Sequence, residues 1–170
     1  MKELYNLIRD IPDFPKKGII FKDITPLLKD EKAFEKVIKI LADNIPDSTK
    51  KIAAIESRGF IFAGALAFLL KKGFIPIRKT GKLPYKTINY TYQLEYGTDT
   101  IEIHSDAIEK GEKVVIIDDL LATGGTAYAA AKLVEKCGGV VEKIVFLIEL
   151  SALNGEEKLK DYQIFSLLKL

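Results

Sequence analysis

The 170-residue chain contains no tryptophan, one cysteine, one histidine and one methionine. Cys137 alone cannot form an intrachain disulfide or a multi-cysteine zinc site. His104 alone removes any mechanism that needs two imidazoles and leaves no second histidine to activate a serine or cysteine nucleophile. Neither residue is assigned a role. An excess of charge is missing too: 26 Lys and Arg stand against 24 Asp and Glu, interspersed along the chain. That balance argues against a dedicated duplex-DNA binder. Missing also is an apolar run of the roughly 20 residues a membrane span needs. The longest, Gly59 to Leu70, ends in Lys71-Lys72 and reads as a buried helix. The first ten residues mix charges and lack the apolar centre of a signal peptide, so the expected compartment is the reducing cytoplasm, with no membrane partner.

What is present is the composition of one folded domain, with 48% hydrophobic and 29% charged residues. Continuous apolar runs at 51–55, 74–77, 113–117 and 143–148 read as strands covered on both faces, and 100–103 alternates as a half-exposed strand. Pro76 implies that its strand is not fully central. Helical spacing places Phe34, Val37, Ile38 and Leu41 on one face of a helix over 31–44, behind an Asp30 cap. Further helices are expected at 60–72, 126–137 and 2–10. Strands alternating with helices predict an α/β fold, a mainly parallel twisted sheet flanked by helices. Residues 1 to about 32, broken by Pro12, Pro15, Gly18 and Pro26, form a small appendage or hood, and about 33–170 form the core of a single domain.

The most informative stretch is Val114-Val-Ile-Ile-Asp-Asp-Leu-Leu-Ala-Thr-Gly-Gly-Thr126. A buried strand runs into two acids and then enters a helix through small residues. Unsatisfied N–H groups at a helix N-terminus favour an anion. Gly124 and Gly125 let the backbone approach it, and Thr123 and Thr126 add hydroxyl donors, with Ala122 completing the loop. Carboxylates beside a phosphate repel it unless they face hydroxyls or a metal, and vicinal ribose hydroxyls suit Asp118 and Asp119. The implied ligand is a ribose 5-phosphate. Neither GxxxxGK[ST] nor GxGxxG is present, which excludes the usual triphosphate and dinucleotide loops.

This stretch resembles the phosphoribosyl pyrophosphate motif of type I phosphoribosyltransferases, and its Asp-Asp-Leu-Leu-Ala-Thr-Gly-Gly-Thr form is similar to that of the family's adenine-specific branch. Four more segments carry the resemblance: Asp13–Ile24, Glu56–Phe60, Ile77–Pro84 and Tyr92–Gly97. It implies the type I fold and the conversion of adenine and 5-phosphoribosyl 1-pyrophosphate into AMP and pyrophosphate. It also implies Mg²⁺ held mainly by substrate and water, and a homodimer. By the same resemblance Ser57 and Arg58 belong to a pyrophosphate loop, with Arg78, Lys79 and Lys82 as further cations of which any could touch phosphate. Residues 80–97 resemble a flexible lid in which Glu95 manages a proton on the purine and Tyr96 closes the pocket. Ile20, Phe21 and Leu150 are similar to residues that enclose adenine. Lys22 stands where many relatives carry Arg. A phosphoribosyltransferase for another base and a regulator sensing phosphoribosyl pyrophosphate are the competing functions. The first is opposed by the segment Gly18 to Asp23, the second by the absence of length or charge for a DNA-binding part.

Overall fold

The computed structural model describes residues 2–93 and 97–170. The chain divides into two compact units, 1–40 and 41–170.

In the first unit, a short helix α1 (Lys2–Tyr5) precedes an antiparallel hairpin of β1 (Arg9–Pro12) and β2 (Ile20–Asp23), in which Ile11 faces Phe21 and Pro12 faces Ile20. The expected helix over 2–10 therefore stops at Tyr5. Arg9 and Asp10 already pair with Asp23 and Lys22, and strand pairing outweighs the weak helical pattern of so short a segment. The hairpin loop is closed by the Gly18 N–H donating to Asp13 Oδ1 at 2.7 Å, and Phe14 meets Phe21 edge to face at 5.2 Å. Helix α2 (Thr25–Lys29) leads into α3 (Glu31–Ala42), whose start is capped as expected: the Ala33 N–H donates to Asp30 Oδ1 at 2.9 Å. Val37, Ile38 and Leu41 are buried at helical spacing.

The second unit is a seven-stranded sheet. Its elements are β3 (Lys51–Ile55), α4 (Gly59–Leu70), β4 (Gly73–Lys79), β5 (Thr87–Gln93), β6 (Thr98–His104), β7 (Lys113–Leu121), α5 (Gly125–Lys136), β8 (Val140–Glu149) and β9 (Ile164–Lys169). The order is β5-β6-β4-β3-β7-β8-β9, parallel from β4 through β9, with β6 and β5 added antiparallel at one edge. The strands expected from apolar runs are β3, β4, β7 and β8, each as long as expected or longer. Strands β5 and β9 are not among the expected strands, although β9 carries the apolar residues Ile164, Phe165, Leu167 and Leu168. Pro76 is tolerated because β6 pairs only with Arg78 and Lys79, which leaves the proline's other flank without a ladder partner. Helix α4 departs from the expectation of a buried helix. Phe62, Ala63 and Leu66 are fully buried, but Phe68 is 89% exposed and Leu69 50% exposed.

This topology fixes where a ligand can sit. From β3 the chain crosses through α4 to β4 on one side, and from β7 it crosses through α5 to β8 on the other. Neighbouring strands whose connections leave in opposite directions open a crevice at their carboxyl ends, the usual ligand position in open α/β sheets. Here that crevice lies between β3 and β7.

Candidate active site at the β3/β7 crevice

A cavity of about 470 Å³ opens at this point, lined by Ser57 and Arg58 after β3, Lys79 at the end of β4, Asp118 and Asp119 on β7, and Ala122 and Thr126 beyond it. A smaller hollow of about 70 Å³ is formed by the loop running from Asp118 to Ala127 itself. Every residue expected to bind the ribose phosphate lines one or both. The loop's shape depends on Gly124, which sits at the N-cap of α5 with φ +78°, in the left-handed region. A Cβ there would lie 2.4 Å from the Gly155 carbonyl oxygen, so only glycine fits. At the facing helix, a Cβ on Gly59 would meet the Ile117 carbonyl at 2.9 Å and Asp118 Oδ1 at 3.1 Å. The start of α4 is thus pressed against the acids of β7.

Those acids are electrostatically loaded. Burial and the neighbouring Asp119 charge push Asp118 well above the ordinary carboxylate range. Asp119, only 5% exposed, is raised by burial, which outweighs the lowering effect of Arg58. Arg58 Nη2 stands 2.9 Å from Asp119 Oδ2 as an ion pair without an aligned hydrogen bond, and the Asp119 N–H donates to Asp118 Oδ1 at 2.9 Å. Carboxylates held this way gain from hydroxyl donors that replace lost water.

The cations expected around pyrophosphate are present, and each already holds an acid. Arg78 Nε and Lys82 Nζ both donate to Glu56 at 2.7 Å, and Arg78 Nη1 donates to the Lys82 carbonyl at 3.0 Å. Burial works against ionising Glu56, but the bonds from Lys82 and Arg78 hold it below the usual range. Lys79 lies 3.1 Å from Asp99 Oδ2, which raises the lysine. Of these cations, Arg58 and Lys79 line the cavity, while Arg78 and Lys82 are bonded to Glu56, which lines it.

Glu56, Tyr92 and Asp99 also line the cavity without having been given a site role from sequence. Tyr92 is 8% exposed and its hydroxyl accepts from Thr126 Oγ1 at 3.3 Å, tying β5 to the phosphate loop. Its period-two spacing from Ile88 and Tyr90 was a usable signal, hidden because the segment read as a lid. Asp99 carried no signal, since its role arises from strand pairing. Leu150 is held beside the end of β7 by its N–H donating to the Leu121 carbonyl at 2.9 Å and does not line the cavity. Ile20, Phe21 and Lys22 lie on β2 of the first unit, with Ile20 55% exposed and Lys22 bonded to Asp10 at 2.7 Å. Glu95 and Tyr96 fall outside the described residues. Among the described residues no cluster of three or more His, Cys, Asp or Glu side chains could hold a metal, and no helix is long and apolar enough to cross a membrane.

A switch-point crevice with two acids on one strand and a small-residue loop at the next helix is where open α/β proteins take their ligands. Residues 23–169 match the family described as the phosphoribosyl transferase domain. An adenine phosphoribosyltransferase of Thermoanaerobacter pseudethanolicus is 58% identical over 99% of this chain and 98% of its own length. The crystal structure of the adenine phosphoribosyltransferase from that organism superposes with a TM-score of 0.96, covering 99% of both chains. A Saccharomyces cerevisiae adenine phosphoribosyltransferase, solved with an imino-altritol bisphosphate and adenine, is 40% identical with a TM-score of 0.92, covering 98% of this chain and 97% of its own. The chain belongs to the adenine phosphoribosyltransferase family.

Proposed function

We propose that this enzyme joins N9 of adenine to the anomeric carbon of 5-phosphoribosyl 1-pyrophosphate, giving AMP and pyrophosphate in a purine-salvage reaction. The observation that carries the reading is the Asp118–Asp119 pair running directly into the Ala122–Thr126 loop at the β3/β7 crevice. In this reading the loop and the N-terminus of α5 take the 5-phosphate, and the two carboxylates accept from the ribose 2- and 3-hydroxyls. The C1–N9 bond forms as the bond from C1 to the pyrophosphate oxygen breaks, and the N9 proton passes to Glu95. Negative charge grows on the leaving group, so donors and cations aimed there stabilise the transition state. Ser57, Arg58 and Lys79 provide them at the cavity wall, with Arg78 and Lys82 as the outer cations.

Because Arg58 already pairs with Asp119, arrival of the donor exchanges partners: the guanidinium turns to pyrophosphate as the ribose hydroxyls take the carboxylate. Mg²⁺ is the proposed cofactor: donor oxygens and water would hold most of it, the hard carboxylate oxygens of Asp118 and Asp119 suit it, and it would neutralise charge on the leaving pyrophosphate. The segment 80–97 is assigned as the lid, with Tyr96 closing it, and Ile20, Phe21, Lys22 and Leu150 as the adenine contacts. We assign the chain to a single catalytic domain in the cytoplasm, acting as a homodimer. The exposed apolar side chains of α4 support the dimer. The test is a Mg²⁺-dependent assay with phosphoribosyl pyrophosphate and adenine, hypoxanthine, guanine or orotate. AMP from adenine alone is expected. Product from another base would overturn the assignment of residues 18–24, and no product with any base would overturn the activity.

A further inference from the structure

Glu102 is a carboxylate with no place in the reaction as described, yet it is 4% exposed in the middle of β6. Burying a charge is costly unless it is hydrogen-bonded. Here the partners are specific. Oε1 accepts from the Gly81 N–H at 3.0 Å and the Leu83 N–H at 3.2 Å, and Oε2 accepts from the Thr87 hydroxyl at 3.2 Å. Gly81 and Leu83 belong to the connection from β4 to β5 and Thr87 opens β5, and Glu102 reaches them because its strand position pairs with Arg78.

The same connection is held from its other side by Glu56, which takes the side chains of Arg78 and Lys82. Two buried carboxylates thus fix one turn, Glu56 by its side chains and Glu102 by its main chain. Glu56 lines the cavity immediately before Ser57 and Arg58, and its bond to Lys82 ties the turn to that wall. Without Glu102 two backbone N–H groups and a hydroxyl would lose their acceptor, and the turn could satisfy them only by moving into water.

We propose that Glu102 is a positioning residue for donor binding: by clamping the main chain of the 81–83 turn it sets where Lys82 meets the pyrophosphate group. The inference rests on the reading that this turn serves pyrophosphate. It separates the two substrates, because the clamp acts on the donor side and touches nothing assigned to adenine.

The test compares Glu102→Leu, Glu102→Asp and Glu102→Gln by steady-state kinetics in both substrates and by amide hydrogen exchange at Gly81 and Leu83. Leucine fills the space but accepts nothing, and is expected to raise KM for phosphoribosyl pyrophosphate about tenfold while leaving KM for adenine within about twofold. Aspartate keeps the charge but is one methylene short, so it should raise the donor KM to an intermediate value even if the leucine variant does not fold. Glutamine can offer its carbonyl to both N–H groups and its amide to Thr87, and is expected to restore most of the donor KM and the amide protection. Equal rises in both KM values would reduce Glu102 to a general structural role and overturn the proposal. So would an unchanged donor KM in Glu102→Asp, or a glutamine variant as impaired as leucine. Lys82→Met provides the separate control: an unchanged donor KM with Gly81 and Leu83 still protected would overturn the pyrophosphate assignment of the turn itself.

Discussion

In the proposed reaction Asp118 serves the substrate more than it serves the fold. An acid whose pKa is higher in the folded state than in the unfolded state binds its proton more tightly when folded. Its contribution to stability is therefore fully favourable below the ordinary carboxylate range and is lost as pH rises through the raised folded value. Burial first, and the Asp119 charge second, raise Asp118, so ionising it costs the free protein energy that the ribose hydroxyls of the proposed donor would return. Asp118→Asn retains an oxygen to accept from the Asp119 N–H. It is expected to stabilise the free protein at pH 7 by about 0.5–2 kcal/mol, with the gain disappearing at acid pH, while raising the donor KM. Urea unfolding at both pH values, run beside a donor titration, checks both halves. A variant less stable than the parent at pH 7 would show that the carboxylate is structural.

At the scale of elements, the site is an arrangement of close approaches between segments. The turn into α5 works because Gly124 adopts a left-handed backbone while the Gly155 carbonyl packs over it, and α4 reaches β7 because Gly59 has no side chain. Gly124→Ala places a Cβ in a disfavoured backbone region and against a carbonyl at once. It is expected to cost at least about 2 kcal/mol of stability and to weaken ribose 5-phosphate binding. Gly59→Ala keeps an ordinary backbone but meets the Ile117 carbonyl at 2.9 Å, the Asp118 oxygen at 3.1 Å and the Asp118 Cα at 3.3 Å. It is expected to cost about 1–3 kcal/mol, with a loss of donor affinity because Asp118 is displaced. Thermal unfolding and calorimetry with ribose 5-phosphate distinguish the two. Equal and small effects on both quantities would mean that the loop relaxes freely.

For the whole molecule, the open question is what covers α4. Its outward residues include Phe68, Leu69 and Ile61, all more than 40% exposed, and Phe74 follows at 39%. A patch of this kind on a folded chain marks an interaction surface, and the proposed homodimer supplies a second copy to bury it. Phe68→Glu places a charge at the most exposed position without touching the buried face. It is expected to shift the protein from dimer to monomer in sedimentation velocity with the far-ultraviolet circular dichroism unchanged. A parent protein that sediments as a monomer would show that the patch has another purpose.

By themselves, the residues of this chain determined its α/β class, the four apolar core strands, the helices expected over 31–44, 60–72 and 126–137 and found at 31–42, 59–70 and 125–136, and the small-residue loop between Asp118 and Thr126. These features are local: apolar periodicity, an Asp30 cap and paired glycines act within a few residues of themselves. Tertiary structure decided what depends on neighbours distant in the chain. Arg9 and Asp10 became a strand because Lys22 and Asp23 lie opposite. Asp99 gained a role only because Lys79 ends nearby, and Tyr92 because Thr126 offers its hydroxyl. The cations chosen from sequence came with their acids already attached, since a buried carboxylate such as Glu56 draws whatever positive charge the fold brings within reach. Composition and spacing can name such groups, but which charge meets which is set by strand order and register.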